Sequence, residues 1–230
     1  MTAPRPVIRA DHPVTLIGGG LLGPEDLPEA LALAPTTAAA DGGADAALRH
    51  GITPGAVIGD MDSLSAQAAR AFHDRLHPVE EQDSTDFDKA LTRIDAPAVL
   101  AVGFSGGRLD HELAALHSLV LRADRPCLLL GPQTLALHLP PALALDLDPG
   151  TLLSLFPFAP VRTRSTGLRW PTDHLLFDPA TRIGTSNEAA GPVTLAPSGR
   201  GMLLILPRAA LRPALRALLA APRWPAAPAG

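Results

Sequence analysis

Residues 56–63 have the sequence AVIGDMDS, in which the apolar run Ala56-Val57-Ile58 ends at Gly59 and two aspartates. A short apolar run bounded by turn residues is typical of a buried strand. Asp60 and Asp62 stand two residues apart, so in extended backbone both side chains would point to the same side. Two such carboxylates suit Mg²⁺, which completes its shell with water and phosphate oxygens. The alternative for this motif alone is a turn with solvated acids and a helix N-cap.

The same order, an apolar run followed by a helical pattern, recurs through residues 1–140 and predicts a first domain there. Repeated strand–helix order favours a mostly parallel sheet flanked by helices, and ligands bind beyond the carboxyl ends of such strands. Glycine and aspartate clusters at 18–20, 41–43, 59–62 and 103–110 all follow predicted strands, so we expect them to gather at one edge. The predicted strands are 14–17, 37–40, 56–58, 78–81, 98–102 and 127–130, and the predicted helices are 25–34, 45–50, 65–75, 85–94 and 109–122.

Residues 141–230 have a different pattern and predict a second domain. Short apolar segments are separated at close intervals by turn residues such as Pro149-Gly150. This pattern is typical of an antiparallel β-sandwich or a barrel-like domain. A closing helix at 209–220 and a flexible C-terminal tail at 222–230 complete the prediction, so the expected fold class is α/β followed by a C-terminal antiparallel β-sandwich. The predicted strands are 152–156, 161–166, 174–177, 193–195 and 202–206.

Composition narrows the class of protein. The 230 residues are 47% hydrophobic and 18% charged, which is a globular profile. The net charge of −4 lacks the basic excess of nucleic-acid binders, and no stretch approaches the ~20 apolar residues that span a bilayer. No signal peptide is recognisable, so we expect a cytoplasmic protein without a membrane or nucleic-acid partner. The single cysteine, Cys127, lies in an apolar run and predicts a buried structural thiol.

Further carboxylates follow other predicted strands. Asp41 precedes two glycines and could hold a ribose, a substrate amine or metal-bound water, although a plain tight turn is equally common. In residues 82–90, Asp86 could bind the metal, and Lys89, one helical turn later, could lie near phosphate. The alternative is an N-cap at Ser84 or Thr85 with acids in the first turn and a surface ion pair.

A glycine-rich loop at 103–107 opens the next predicted helix. Such a loop can cradle phosphate through backbone N–H groups, and Arg108 could add bidentate contacts to phosphate oxygens. Asp110 could help to hold metal or accept a proton, whereas His111 is more often a structural hydrogen-bonding residue. The loop at 103–107 is not a Walker A loop, because no Gly-Lys-Ser/Thr follows.

The order of these motifs along the chain is more specific than any one of them. They are DGGA at 41–44, GDMDS at 59–63, TDFDKA at 85–90, GGRLDH at 106–111, GLRWP at 167–171 and TSNE at 185–188. Together, over roughly residues 14 to 207, they resemble the thiamine pyrophosphokinase family. Two positions depart from its usual pattern: Asp45 stands where the family often has Asn, and Arg169 where it often has Lys.

The resemblance implies transfer of the β,γ-diphosphoryl group of ATP to the hydroxyethyl oxygen of thiamine, with release of AMP. It implies a homodimer with active sites between subunits and Mg²⁺ as the cofactor. In this reading, Trp170 stacks on the thiamine pyrimidine and Ser186 and Asn187 make polar contacts to it. The implied metal ligands are Asp60, Asp62 and Asp86, and the implied polyphosphate-binding residues are Gln82, Thr85, Arg108 and Asp110.

Two other functions remain open from the sequence. A related pyrophosphokinase could act on another alcohol such as a hydroxymethylpterin, against which Trp170 and the Ser186-Asn187 pair argue. A non-catalytic nucleotide or thiamine sensor would be expected to lose an acidic motif, and none is lost. The sequence leaves open the general base, the preferred nucleotide donor and the choice between Mg²⁺ and Mn²⁺.

Overall fold

The computed structural model describes residues 4–226 and divides them into two compact units. Within these residues, the first unit comprises 4–118 and Leu129–Pro132, and the second comprises Leu119–Leu128 and 133–226. The protein has a mixed α/β fold, as the sequence predicts. The domain boundary expected at residue 140 stays a prediction.

The first unit alternates strands and helices. Its strands are short and its central ones are buried along their whole length, which explains why they appear in the sequence as plain apolar runs. The strands are β1 (Ile8–Arg9), β2 (Val14–Ile17), β3 (Thr36–Ala40), β4 (Ala56–Gly59), β5 (Leu76–Pro78), β6 (Ile94–Asp95), β7 (Val99–Val102) and β8 (Cys127–Leu130), the last shared with the second unit. The helices are α1 (Asp26–Leu33), α2 (Gly43–Arg49), α3 (Ala66–Ala71), α4 (Asp86–Thr92) and α5 (Leu109–Leu121), with a 3₁₀ turn at His73–Arg75.

Parallel pairing sets the edge at which the motifs meet. β1 pairs with β6, β2 with β7, β3 with β4, and β4 with β5, all in parallel. At the ends of β2 and β7, the Gly18 N–H donates to the carbonyl of Val102, and the Gly20 N–H donates to that of Gly103. The expected convergence of residues 18–20 with the loop at 103 is therefore confirmed.

The second unit is built mainly from antiparallel strands. β14 pairs with β11 near its start and with β12 and β10 near its end, while β11 also pairs with β15, β15 with β9, and β12 with β13. β12 buries alternate residues, as expected for a strand with one face on a core. The strands are β9 (Thr134–His138), β10 (Leu143–Leu145), β11 (Leu152–Pro157), β12 (Val161–Leu168), β13 (Leu176–Phe177), β14 (Gly184–Pro197) and β15 (Met202–Pro207). A 3₁₀ turn at Arg208–Ala210 leads into α6 (Leu211–Ala220).

Several element boundaries differ from those predicted. The strand expected at 78–81 lies at Leu76–Pro78, and the helix expected at 65–75 ends at Ala71 before the 3₁₀ turn. β14 runs far beyond the predicted 193–195 because it pairs with different partners along its length.

Two further expectations concern the end of the chain and its cysteine. In the tail, the Trp224 Nε1–H donates to the Leu139 carbonyl at 2.8 Å, which ties this residue to the chain just after β9. Residues 227–230 of the predicted tail lie outside the described residues. Cys127 is buried as predicted, and its burial raises the pKa of the thiol. Within residues 4–226, no helix has the length and apolar character needed to cross a bilayer.

Candidate active site

Three carboxylates converge at the carboxyl ends of β3 and β4. Asp41 follows β3, Asp60 follows β4, and Asp86 begins α4. Each offers an oxygen, and these oxygens all lie within 4.8 Å of one another. Because Ala40 is opposite Ile58 in the parallel β3–β4 ladder, the two strands end at the same level. The register therefore carries the carboxylates that follow the strands to one edge; Asp41, Asp60 and Asp86 are called the acidic triad below.

Gly59 makes this approach possible. A Cβ at this position would lie 2.7 Å from the Cβ of Asp41 and 3.0 Å from Oδ1 of Asp86, closer than side-chain carbons normally come. The glycine thus removes the atom that would push two members of the triad apart.

Asp41 is the most buried member of the triad, with 2% of its surface exposed. Its Oδ2 accepts the Ser63 N–H at 3.1 Å, while its Oδ1 has no hydrogen-bond partner among the described residues. Burial and the nearby charge of Asp86 raise the pKa of this carboxyl above its usual range. An anionic oxygen left unpartnered at a buried position costs free energy unless a cation or proton meets it.

Lys89 provides the internal countercharge. Its side chain is 1% exposed, and its Nζ donates to Asp60 Oδ2 at 2.7 Å and to Asp86 Oδ1 at 3.3 Å. Burial lowers the pKa of Lys89, but the hydrogen bonds and charges of Asp60 and Asp86 outweigh that effect, so the pKa lies above its ordinary value. The hydrogen bond from Lys89 also holds the pKa of Asp60 below its usual range. One ammonium against three carboxylates leaves the cluster negative when all are ionised.

The residues of the acidic triad fit a hard divalent cation. All three side chains offer carboxylate oxygens, which is the donor chemistry that Mg²⁺ prefers over nitrogen or sulfur. The unpartnered Asp41 Oδ1 adds an acceptor that no group within residues 4–226 satisfies. The donor set and this oxygen together support a cation site at Asp41, Asp60 and Asp86.

Asp62 lies outside this group of three. Met61 has φ +69°, so the backbone between the two aspartates is not extended and the expectation of a shared side does not apply. The Asp62 carboxylate accepts the Ser63 hydroxyl at 2.8 Å, and the Asp62 N–H donates to Asp60 Oδ1 at 3.3 Å. Its role as a metal ligand stays a prediction.

Gln82 and Thr85 flank the cluster in different ways. The Gln82 amide donates to Asp60 Oδ2 at 3.4 Å, a long bond that places it beside the triad. Thr85 is the N-cap of α4, and its hydroxyl accepts the Asp88 N–H at 3.2 Å. This cap fixes the start of the helix and therefore the position of Asp86 in its first turn.

Arg108 and Asp110 stand at the start of α5, beyond the glycine-rich loop. Their side chains are exposed and form a two-pronged ion pair, with Nη2 at 2.6 Å from Oδ2 and Nε at 3.2 Å from Oδ1. The hydrogen bond from Arg108 holds the pKa of Asp110 below its usual range. The structure thus pairs these two residues with each other, and their contact with a polyphosphate stays a prediction.

Asp45, one of the departures from the family pattern, has a structural role here. Its carboxylate accepts the Ser65 N–H at 3.0 Å and also the Ser65 hydroxyl. Ser65 is the N-cap of α3, so Asp45 links the first turn of α2 to the segment that follows the two aspartates of the GDMDS motif.

The second unit contains a pocket of about 430 Å³ that brings together the predicted acceptor residues Trp170, Ser186 and Asn187. Apolar side chains, among them Phe177 and Leu155, form part of its wall. Trp170 is 53% exposed, so much of its ring is available to a ligand. An apolar pocket with an exposed aromatic ring and a few polar groups is a typical small-molecule site.

Two contacts around Trp170 were missed from the sequence. The Arg169 guanidinium lies 4.8 Å from the centre of the Trp170 ring, and its Nη1 donates to the Glu188 carboxylate at 3.1 Å. Glu188 belongs to the TSNE motif, but nothing in the motif itself indicates its pairing with Arg169.

Parallel strands that end in clustered carboxylates define an α/β protein with an oxygen-rich acidic site, and known proteins share its fold. Residues 27–129 match the family model described as thiamin pyrophosphokinase, catalytic domain. The chain is 29% identical over 154 residues to thiamine pyrophosphokinase 2 of rice, covering 58% of each protein. It superposes on thiamin pyrophosphokinase from Geobacillus thermodenitrificans with a TM-score of 0.68 and 26% identity, covering 85% of this chain and 96% of that one.

The chain is similar to the thiamine pyrophosphokinase family in sequence over residues 27–129 and in fold over most of its length. The Candida albicans thiamin pyrophosphokinase, at 14% identity and a TM-score of 0.71 over 90% of this chain and 94% of that one, shares the fold. The chain spans 58% of the length of the rice relative that it matches. The family resemblance predicted from the ordered motifs is therefore confirmed.

Proposed function

We propose that this protein is a diphosphotransferase that moves the terminal diphosphoryl group of ATP to the hydroxyl of thiamine, giving thiamine diphosphate and AMP. The observation that carries the proposal is the acidic triad with the unpartnered Oδ1 of Asp41. A triphosphate substrate brings the divalent cation that such oxygens need, and relatives of the chain carry this activity in their names.

In the proposed reaction the thiamine hydroxyl oxygen attacks the β-phosphorus of ATP. The bond from that phosphorus to the oxygen bridging the α- and β-phosphates breaks, AMP leaves with that oxygen, and the hydroxyl proton passes to a base or to water. Such transfers rely mainly on positioning and charge compensation. The proposed donor site thus needs positive charge around the polyphosphate more than it needs a strong base.

Asp60 and Asp86, with Asp41 beside them and Asp62 as a further candidate, would hold Mg²⁺. When bound, Mg²⁺ offsets negative charge on the polyphosphate oxygens. Lys89 holds Asp60 and Asp86 in place before a cation arrives. Gln82, Thr85, Arg108 and Asp110 are proposed to contact the polyphosphate and its metal.

The second unit is proposed as a β-sandwich that recognises thiamine. Its 430 Å³ pocket contains an exposed Trp170 ring, on which a cationic aromatic ligand can stack for about 0.5–2 kcal/mol. From the family resemblance we further propose a cytoplasmic homodimer with active sites shared between subunits.

The decisive assay offers Mg-ATP with either thiamine or a hydroxymethylpterin and measures AMP release together with the phosphorylated product. We expect thiamine diphosphate and AMP in equal amounts, and no turnover of the pterin. Turnover of the pterin alone would replace the proposed acceptor. Trp170→Ala should raise the KM for thiamine about tenfold and leave the KM for ATP unchanged, because the ring is proposed to contact thiamine and not ATP. Equal changes in both KM values would remove Trp170 from the acceptor pocket.

A further inference from the structure

Asn187 is tied to the backbone of Trp170 by its side-chain amide. The Asn187 Nδ2–H donates to the Trp170 carbonyl at 2.8 Å, and Oδ1 accepts the Trp170 N–H at 3.3 Å and the Glu188 N–H at 2.8 Å. Asn187 is 9% exposed, so these bonds form largely away from water. The amide therefore engages both backbone polar groups of Trp170, as a neighbouring strand would.

This arrangement continues a strand pairing that the backbone alone no longer provides. Leu168 is opposite Ala189 in the β12–β14 ladder, and the Arg169 N–H donates to the Glu188 carbonyl at 2.8 Å. One residue later, at Trp170, the side chain of Asn187 takes over as the partner. Trp170 lies just past the end of β12, where the Asn187 amide replaces the backbone hydrogen bonds of the β12–β14 ladder.

The start of this arrangement depends on an irregularity at Gly167. The register shifts between Thr166 and Leu168, and Gly167 has φ +71°. A Cβ there would lie 2.0 Å from the Pro192 carbonyl oxygen, so only glycine fits. The bulge and the Asn187 amide thus set the direction in which the chain leaves β12.

Hydrogen-bond capacity limits what else Asn187 can do. Its Oδ1 has two lone-pair positions, and two N–H groups already occupy them. Only one N–H of Nδ2 remains for a ligand. Direct polar recognition of an acceptor, the role expected from the family resemblance, could use only that N–H, whereas two of the three hydrogen bonds that the amide makes go to the Trp170 backbone.

We propose that Asn187 is a positioning residue, whose amide clamps the backbone of Trp170 and so holds the indole ring at the wall of the acceptor pocket. The proposal concerns the acceptor side of the proposed function and rests on it for the kinetic consequences, but the clamp itself is a property of the ligand-free protein. A fixed ring binds an aromatic ligand more tightly than a mobile one, because less conformational freedom is lost on binding.

The first test observes Trp170 without any ligand. The chain has two tryptophans, so Trp224→Phe leaves Trp170 as the only emitter. In that background we expect Asn187→Ala to increase the amplitude of fast local motion in the time-resolved fluorescence anisotropy. Thr194→Ala is the matched control. Thr194 lies on β14, as Asn187 does, and the substitution removes the hydrogen bond between its hydroxyl and that of Thr166 on β12, away from the pocket. Unchanged motion in Asn187→Ala would overturn the clamp.

Asn187→Asp keeps both accepted hydrogen bonds but replaces the donated one with a carboxylate oxygen that faces, and repels, the Trp170 carbonyl oxygen. We expect faster local motion than in Trp224→Phe alone. This variant decides the question if Asn187→Ala does not fold, and motion equal to that of Trp224→Phe alone would contradict the clamp.

The second test separates positioning from direct contact by kinetics. Asn187→Ala should raise the KM for thiamine about tenfold with little change in kcat, as expected for loss of ordered hydrogen bonds behind the binding group. In a Trp170→Ala background the same substitution should have almost no effect, because no ring remains to be held. An equal increase in both backgrounds would show direct contact with the acceptor and overturn the proposal. If the unsubstituted protein releases no AMP with thiamine, the proposed function fails, and the anisotropy still decides the clamp.

Discussion

Lys89 Nζ lies 2.7 Å from Oδ2 of Asp60, and this contact joins α4 to the end of β4 with an ammonium that is 1% exposed. Lysine is almost never fully buried unless it is paired. Here the same group also lies 3.3 Å from Asp86, so it compensates two of the three carboxylates in the acidic triad. Lys89 is the only lysine in the chain, and its position makes it part of the architecture of the site.

Removing that charge should destabilise the protein in a manner that divalent cations relieve. In Lys89→Met the carboxylates of Asp60 and Asp86 lose their countercharge. We expect the free energy of unfolding to fall by about 3 kcal/mol, the lower end for a broken buried pair because Asp86 is one-third exposed. Urea unfolding with EDTA and with excess Mg²⁺ measures the effect, and Mg²⁺ should recover part of the loss.

The control for Lys89→Met is an exposed ion pair. Arg9→Met removes the partner of Asp95 at 3.5 Å, where both side chains are more than half exposed. It should change the free energy of unfolding by less than about 1 kcal/mol and respond to Mg²⁺ as the unsubstituted protein does. Similar losses of unfolding free energy in both variants would mean that the buried Lys89 pair stabilises the protein no more than an exposed one.

Asp41→Asn should separate stability from function. Burial and Asp86 raise the pKa of Asp41, so the folded state favours its protonated form. This contribution to stability is complete below the unfolded pKa of 3.8 and is lost as pH rises through the folded pKa. At neutral pH the ionised group therefore destabilises the cation-free protein, and the neutral amide should raise Tm in EDTA.

The same substitution should reduce both the Tm increase caused by Mg²⁺ and the release of AMP, because a charged ligand is lost. The Ser63 N–H can still donate to the amide oxygen, so the local backbone has its partner. A lower Tm in EDTA would show that the charge of Asp41 is balanced by protein groups and would remove the argument for a cation there.

Asp62→Asn tests the carboxylate that the structure leaves outside the triad. We predict that it abolishes AMP release with the fold intact, because a ligand of the metal–polyphosphate complex would be lost. Circular dichroism and Tm check the fold, and a titration of activity with Mg²⁺ distinguishes weaker binding from slower chemistry. Turnover near that of the unsubstituted protein would assign the cation to Asp41, Asp60 and Asp86 alone.

The sequence predicted that the carboxylates converge, but it did not predict how they are arranged within the site. Apolar runs before Asp41 and Asp60 identified buried parallel strands, and parallel strands end at one edge, so convergence followed from general rules. Asp60 lies in the acidic triad with Asp41, whereas Asp62 lies outside it, and the backbone turns between the two at Met61, which has a positive φ. A methionine rarely adopts that conformation, and nothing in its neighbours indicates it.

In the second unit the limits of prediction have a different cause. Trp170, Ser186 and Asn187 were selected only through the family resemblance, and the structure brings all three to one pocket. The bond from the Asn187 amide to the Trp170 backbone joins residues 17 positions apart across a strand irregularity. Periodicity and propensity describe local backbone, so a side chain that replaces a backbone partner across strands leaves no pattern in the sequence.

His138 gives a pH dependence that is independent of the active site. It is 7% exposed, its Nε2 accepts the Gly201 N–H at 2.9 Å, and its Nδ1 has no partner among the described residues. Burial, with a smaller effect from the charge of Arg200, lowers its pKa from 6.5 to about 4. The folded state therefore favours neutral imidazole, and the resulting stability is present above pH 6.5 and lost as pH falls through about 4.

Near pH 4 the imidazole is protonated in the unfolded state, while the folded state still resists protonation. We expect this difference to lower the free energy of unfolding by about 3 kcal/mol. Carboxylates titrate in the same range, so a comparison is needed. Urea unfolding from about pH 7 to pH 4 measures the free energy of unfolding of the unsubstituted protein and of His138→Gln, and the difference between the two is followed with pH. The difference should shift steadily in favour of the glutamine variant as pH falls, since glutamine does not ionise and its oxygen can accept the Gly201 N–H. Parallel stability curves for the two proteins would show that His138 does not resist protonation.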